Sequence, residues 1–133
     1  MKRKTDTITT KEIAYVLLGQ VQNGILFARM SWKTRGEETS VLFDGERVLK
    51  REEAKGDVLG FYHTHPEGCL EPSGRDDRTM DAWTFCFGKS LLCVIATRQG
   101  ARAWVYGAAG EHPREVKPVV IFDKKFLIAY LGQ

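Results

Sequence analysis

Several short segments of this 133-residue chain are nearly continuous runs of apolar residues, as buried β-strands are. These segments are rich in Val, Ile, Leu and aromatic residues, and Gly, Asn or charged residues separate them. We predict strands at residues 12–19, 25–30, 39–43, 58–62, 91–97, 103–106 and 119–122. Residues 22–24 and 98–100 are predicted hairpin turns, and residues 33–38 and 111–115 are predicted polar loops.

Two further segments carry the helical period. Residues 45–55 have a short amphipathic pattern that Gly56 would end. A second helix is predicted to follow an N-cap at Ser73 and to end at Gly88, and its buried face would be Met80, Trp83, Thr84 and Phe87. Residues 124–131 fit either a helix or a strand. The pattern as a whole predicts an α/β domain with a mixed sheet and helices packed on it.

The composition is that of one globular domain over residues 1–133, because 43% of the residues are hydrophobic and 28% are charged. The net charge of +3 is spread along the chain apart from residues 2–4, so nucleic-acid binding is not indicated. No apolar run approaches the roughly 18 residues of a membrane span, and the basic start lacks the apolar stretch of a signal peptide. We therefore expect a cytoplasmic protein that binds no membrane.

The three cysteines, Cys69, Cys86 and Cys93, are odd in number and show no CxxC spacing. This argues against a disulfide framework and against a cysteine zinc site. Cys86 and Cys93 stand in apolar surroundings and are predicted to be core thiols. For Cys69 we favour a plain loop position, with a contact to a metal as the alternative.

Candidate chemistry is concentrated at His63, His65 and Asp76. The two histidines follow the apolar run at residues 58–62, and strand alternation sends both imidazoles to the same side of a sheet. Ten residues, with Gly and Pro among them, separate His65 from Asp76 and let the chain turn back toward the imidazoles. Two imidazoles and one carboxylate leave a fourth position open, as catalytic zinc sites do, whereas structural zinc sites are closed by four ligands.

The motif H-x-H-P, followed at this spacing by S-x-x-D, resembles the signature of the JAMM metallopeptidases, the MPN or Mov34 family, and most of all their prokaryotic JAB members. The resemblance covers about residues 12–107 and implies an MPN, cytidine-deaminase-like fold, a mixed sheet flanked by helices. It implies that His63, His65 and Asp76 hold Zn2+ and that Ser73 helps to stabilise the tetrahedral intermediate. Non-haem iron sites use the same ligand types, and zinc is preferred because of the family resemblance.

The family also has a glutamate well before the histidines that acts on the attacking water, and Glu12 fits this position. Glu38 offers a competing pattern of Glu, apolar run and Gly, but its interval to His63 is too short for the family. Plainer interpretations exist, because Ser73-x-x-Asp76 is also a capping box and Glu12 is also an ordinary acid at a strand end. We favour the functional interpretation because all these residues occur together at the spacing of one family.

The resemblance implies hydrolysis of an amide bond. Our first hypothesis is a bacterial-type, deubiquitinase-like zinc isopeptidase that cuts after the C-terminal Gly of a ubiquitin-like protein or its conjugates, alongside E1-like and E2-like proteins. The alternatives are a small-peptide or sulfur-carrier-processing metallohydrolase, a non-catalytic MPN scaffold, which would be expected to lack a ligand, and a cupin-like metal enzyme in which Asp76 has no role. We expect the extended substrate tail to pair with an exposed strand edge near the metal.

Overall fold

The computed structural model of the protein describes residues 12–36, 44–65, 69–107 and 112–132. In chain order the elements of this part are β1 (Glu12–Gln22), β2 (Ile25–Gly36), α1 (Gly45–Lys55), β3 (Val58–Thr64), α2 (Gly74–Phe87), β4 (Leu91–Thr97), β5 (Gly100–Tyr106), β6 (Arg114–Val116), β7 (Val119–Phe122) and β8 (Phe126–Tyr130). The strand predicted at residues 39–43 lies outside the described residues. Neither described helix has the length and hydropathy that crossing a membrane requires.

The described strands form one eight-stranded sheet in the order β6-β5-β4-β3-β1-β2-β8-β7. Within this sheet only β3 and β4 pair in parallel, and the other neighbours are antiparallel. Helix α2 makes the crossover that a parallel pair requires. The α/β class and the mixed sheet are therefore as the sequence predicts.

The two described helices pack on the same face of the sheet. Val48 of α1 and Met80 of α2 join a buried cluster with side chains from β1, β3, β4 and β5, among them Phe61 and Ile95. On the opposite face β7 contacts β5, so the sheet curves around a second apolar cluster that includes Leu127. The curvature lets the sheet bury this second face with its own strands.

Within the described residues, parts of two predicted loops are strands. Residues 33–36 belong to β2, because Thr34 pairs with Ala14 of β1 and the ladder continues to the end of β2. Residues 114–116, which begin inside the second predicted loop, form β6 and pair with β5. Residues 124–131 fold as a turn followed by β8 rather than as a helix. At residues 33–36 and 114–116, backbone pairing with a neighbouring strand outweighs the polar local sequence.

Both helices have the predicted ends. Ser73 caps the start of α2, and Gly56 and Gly88 end the two helices in the left-handed conformation that glycine favours. Cys93 is buried as predicted, but the prediction of a core position for Cys86 is wrong, because its thiol is exposed. Cys86 lies on the solvent side of α2, turned away from the buried positions Met80 and Thr84.

The strand that carries the histidines lies unusually close to β4 at Gly60. A Cβ atom at this position would lie 2.0 Å from the carbonyl oxygen of Leu92, a distance at which no side chain fits. Gly60 therefore allows the close β3–β4 contact three residues before His63 and helps to set where the end of β3 lies.

Candidate metal centre

The end of β3 and the start of α2 meet on the helix-covered face of the sheet. His63 is in β3 and His65 directly follows the strand, while Asp76 is the third residue of α2. The backbone N–H of His65 donates to the carbonyl of Ala96 in β4 at 3.0 Å, so strand pairing continues one residue beyond β3. His63 and His65 share the alternation of Phe61, whose side chain is in the helix-side cluster, and the two imidazoles therefore face α2.

The three side chains converge closely. The Nε2 atoms of His63 and His65 are 3.0 Å apart. The carboxylate of Asp76 lies 3.1 Å from Nε2 of His63 through Oδ1 and 3.3 Å from Nε2 of His65 through Oδ2. A tetrahedral zinc ion with bonds of about 2.0–2.1 Å would hold its ligand atoms about 3.3 Å apart. The cluster therefore has the dimensions that one small cation needs.

A backbone carbonyl outside the ligand set orients His65. Its Nδ1 lies 2.7 Å from the carbonyl oxygen of Cys69, and because a carbonyl only accepts, Nδ1 carries the hydrogen. In the neutral ring Nε2 then has a free lone pair directed at His63 and Asp76. The Asp76 carboxylate brings no hydrogen either. Of these three side chains, only His63 could therefore supply a hydrogen, through Nε2, to the contacts among them. A donor-poor set of this kind fits a cation.

Cys69 contributes its backbone, an arrangement that the sequence analysis did not foresee. Its thiol is exposed and lies 3.8 Å from the carbonyl oxygen of Glu71, outside the His63, His65 and Asp76 cluster of the described residues. A carbonyl is present at every residue, and therefore leaves no signal in the sequence.

The start of α2 holds Asp76 in place. Its backbone N–H donates to Oγ of Ser73 at 3.1 Å, and its Oδ2 accepts from the backbone N–H of Ser73 at 2.8 Å, so the predicted capping box is present. Burial by itself raises the pKa of Asp76, but the adjacent imidazoles of His63 and His65 and the backbone N–H of Ser73 outweigh this and hold the pKa well below its usual range. Asp76 is therefore an anion with a fixed orientation, and its cap and ligand positions are compatible.

Glu12 lies beside this cluster at the start of β1. Ala14 is opposite His63 in the β1–β3 ladder, and the backbone N–H of Ile13 donates to Oγ1 of Thr64 at 2.9 Å. Continuing the antiparallel register brings Glu12 opposite the residue after β3. Glu12 also shares the alternation of Ala14 and therefore faces the same side as the imidazoles.

The pKa of Glu12 depends on its burial and on the neighbouring imidazoles. Burial raises its pKa above the usual value, and the nearby imidazoles of His63 and His65 lower it in part. A carboxylate with a raised pKa is a stronger proton acceptor, as a general base requires. The competing residue, Glu38, lies outside the described residues.

A buried hydroxyl under the start of α2 also escaped the sequence analysis. The O–H of Tyr106 in β5 donates to Oδ1 of Asp77 at 2.5 Å, across 29 residues of sequence. Burial, reinforced by this hydrogen bond, raises the pKa of Tyr106 far above its usual value. Asp77 directly follows the candidate ligand Asp76, but no local pattern in the sequence links it to Tyr106, because the two residues are 29 positions apart.

The expectation of an exposed strand edge beside the metal is wrong for the described strands. β3 lies inside the sheet, with β1 on one side and β4 on the other. The free edges of the described sheet are β6 and β7. Local sequence does not reveal which strands become edges, because strand order is decided by pairing between distant segments.

Comparison with known proteins gives a family match. Residues 3–107 match the family described as prokaryotic homologs of the JAB domain, a span that contains Glu12, His63, His65, Ser73 and Asp76. No curated protein matches the chain. The solution structure of a structural-genomics protein from Desulfitobacterium hafniense aligns with 83% of this chain and 79% of that chain, at 20% identity and a TM-score of 0.43. A likeness of this degree says nothing about the chemistry of the site.

Proposed function

The chain belongs to the family of prokaryotic homologs of the JAB domain, and from that membership we propose that it is a zinc-dependent peptidase or isopeptidase acting as one domain. The observation that carries the proposal is the convergence of one ligand atom each from His63, His65 and Asp76, which all lie within 4.8 Å of one another. The alternative is a non-catalytic scaffold. The presence of all three ligand residues favours catalysis.

His63, His65 and Asp76 would hold the metal. When bound, zinc would supply a Lewis acid that lowers the pKa of water toward neutrality and polarises a carbonyl group. The contact between His65 and the carbonyl of Cys69 keeps the ring in the tautomer that can act as a ligand.

Glu12 and Ser73 would handle the proton and the developing charge. Glu12 accepts a proton from the water that attacks the scissile carbonyl carbon, and it delivers that proton to the leaving amine as the C–N bond breaks. The Ser73 oxygen already accepts from the backbone of Asp76, so its hydrogen is available for donation to the oxyanion. Water adds across the amide bond, and no other reactant is needed.

Ser73→Ala is expected to lower kcat by about 10²–10³-fold, the usual loss when one oxyanion donor is removed. Stability should fall by about 1 kcal/mol, because the cap of α2 is lost as well. Ser73→Gly separates the two effects, since glycine caps a helix almost as well as serine but donates nothing. Steady-state kinetics together with thermal unfolding measures both. A glycine variant as active as the wild type would show that the hydroxyl acts only as a cap.

For the substrate we propose a ubiquitin-like protein, or its conjugates, cut directly after a C-terminal Gly, in the cytoplasm and together with E1-like and E2-like proteins. This substrate class is what the resemblance of the H-x-H-P and S-x-x-D motifs to the JAMM metallopeptidases implies. A folded body adds binding energy that a short peptide lacks, and part of it is available to orient the scissile bond.

The test uses the zinc-loaded protein with a folded ubiquitin-like protein ending in Gly, either extended by a peptide or joined to a lysine. We expect a single cut after that Gly, found by mass spectrometry, and at least about tenfold slower cleavage of an unstructured peptide with the same junction. Equal turnover of both would favour a small-peptide hydrolase. Zinc binding without cleavage of either substrate would favour the scaffold.

A further inference from the structure

We propose that Tyr106, acting through Asp77, is a positioning residue that sets the angle at which α2 presents Asp76 to His63 and His65. The inference rests on the proposed metal site and names a residue that the site's own signature does not contain.

The contact joins the sheet to the helix. Tyr106 is the last residue of β5, is 1% exposed and belongs to the apolar cluster under the two helices. Its O–H donates to Oδ1 of Asp77 at 2.5 Å. A buried hydroxyl left without a partner is unfavourable, so the fold favours this orientation of the helix end.

Asp76 and Asp77 hold the same helix end to two different strands. Successive helix residues point about 100° apart, so two neighbouring carboxylates cannot face the same place. Asp76 reaches the histidines at the end of β3, and Asp77 reaches β5. With Asp77 attached to Tyr106, rotation of α2 about its axis would move the Asp76 carboxylate away from the imidazoles.

The other contacts of α2 do not perform this task. The capping box ties its side chain to Ser73, which belongs to the same helix end and turns with it. Met80 and Thr84, the buried residues of α2, come one and two turns later and fix the body of the helix. Among the contacts seen in the described part of the chain, the Tyr106–Asp77 hydrogen bond therefore joins the sheet to this turn without involving the ligand itself.

Tyr106→Phe tests this by removing one oxygen atom and leaving the ring in the core. We expect the zinc dissociation constant to rise about 10–100-fold, the usual loss when a partner outside the ligand set is removed. The d–d spectrum of the Co2+-substituted protein should change, because the geometry of the ligands changes. Asp77→Ala should behave in the same way. Asp77→Asn keeps a carbonyl acceptor for Tyr106 and should retain zinc affinity and spectrum close to those of the wild type.

Val48→Ala is the control for general destabilisation. Val48 is buried in α1, so its truncation should lower the melting temperature without changing zinc affinity. Unchanged zinc affinity in Tyr106→Phe and Asp77→Ala, beside a wild type that binds zinc, would overturn the positioning role and leave the metal site standing. Equal zinc loss in Val48→Ala, or in Asp77→Asn, would overturn it too. A wild type that binds no zinc would remove both the inference and the proposed function.

Discussion

Alanine at His63, His65 or Asp76 is expected to reduce bound zinc from about one ion per chain to nearly none, and hydrolysis should be lost with it. Removal of a partner outside the ligand set already costs 10–100-fold in metal affinity, so the loss of one of three ligands should cost more than about 100-fold. Elemental analysis of protein dialysed against micromolar zinc measures the occupancy.

Two further variants sharpen this result. His112→Ala removes an exposed histidine outside the cluster and should keep full zinc. Asp76→Asn keeps an oxygen that accepts from the Ser73 N–H, so the helix cap should survive while the anionic ligand is lost. Full zinc in all three alanine variants would contradict the site. Full zinc in Asp76→Ala alone would favour the cupin-like alternative, in which this residue has no role.

Glu12→Gln should keep zinc and the fold but lower kcat by about 10²–10⁴-fold, the usual contribution of a general base. Glutamine has nearly the same shape and cannot accept the proton from water. Kinetics with the folded ubiquitin-like fusion measures the loss, while zinc content and melting temperature show that the site is otherwise intact.

Glu38→Gln is the matched variant and should be nearly silent. If Glu38→Gln loses activity and Glu12→Gln does not, Glu38 is the base and the alignment of the first strands with the family pattern is wrong by one hairpin. The register of β1 with β3 favours Glu12, because it continues past the Ala14–His63 pair toward the cluster.

The sequence by itself determined the features that depend on near neighbours. The ends of α2 follow from Ser73 and Gly88, since a helix end is capped by residues within a few positions of it. The common direction of His63 and His65 follows from strand alternation, which is a property of a single strand. The three candidate ligands were found for the same reason, because their spacing is short.

The tertiary structure alone decided the features that depend on distant partners. The extension of β2 over residues 33–36, and the interior position of β3 in the sheet, follow from backbone pairing between separate strands. The hydrogen bond that orients His65 is accepted by the backbone carbonyl of Cys69, and because every residue has a carbonyl, the sequence gives no sign of it. The hydrogen bond of Tyr106 to Asp77 joins residues 29 positions apart, and only folding brings such atoms within contact distance.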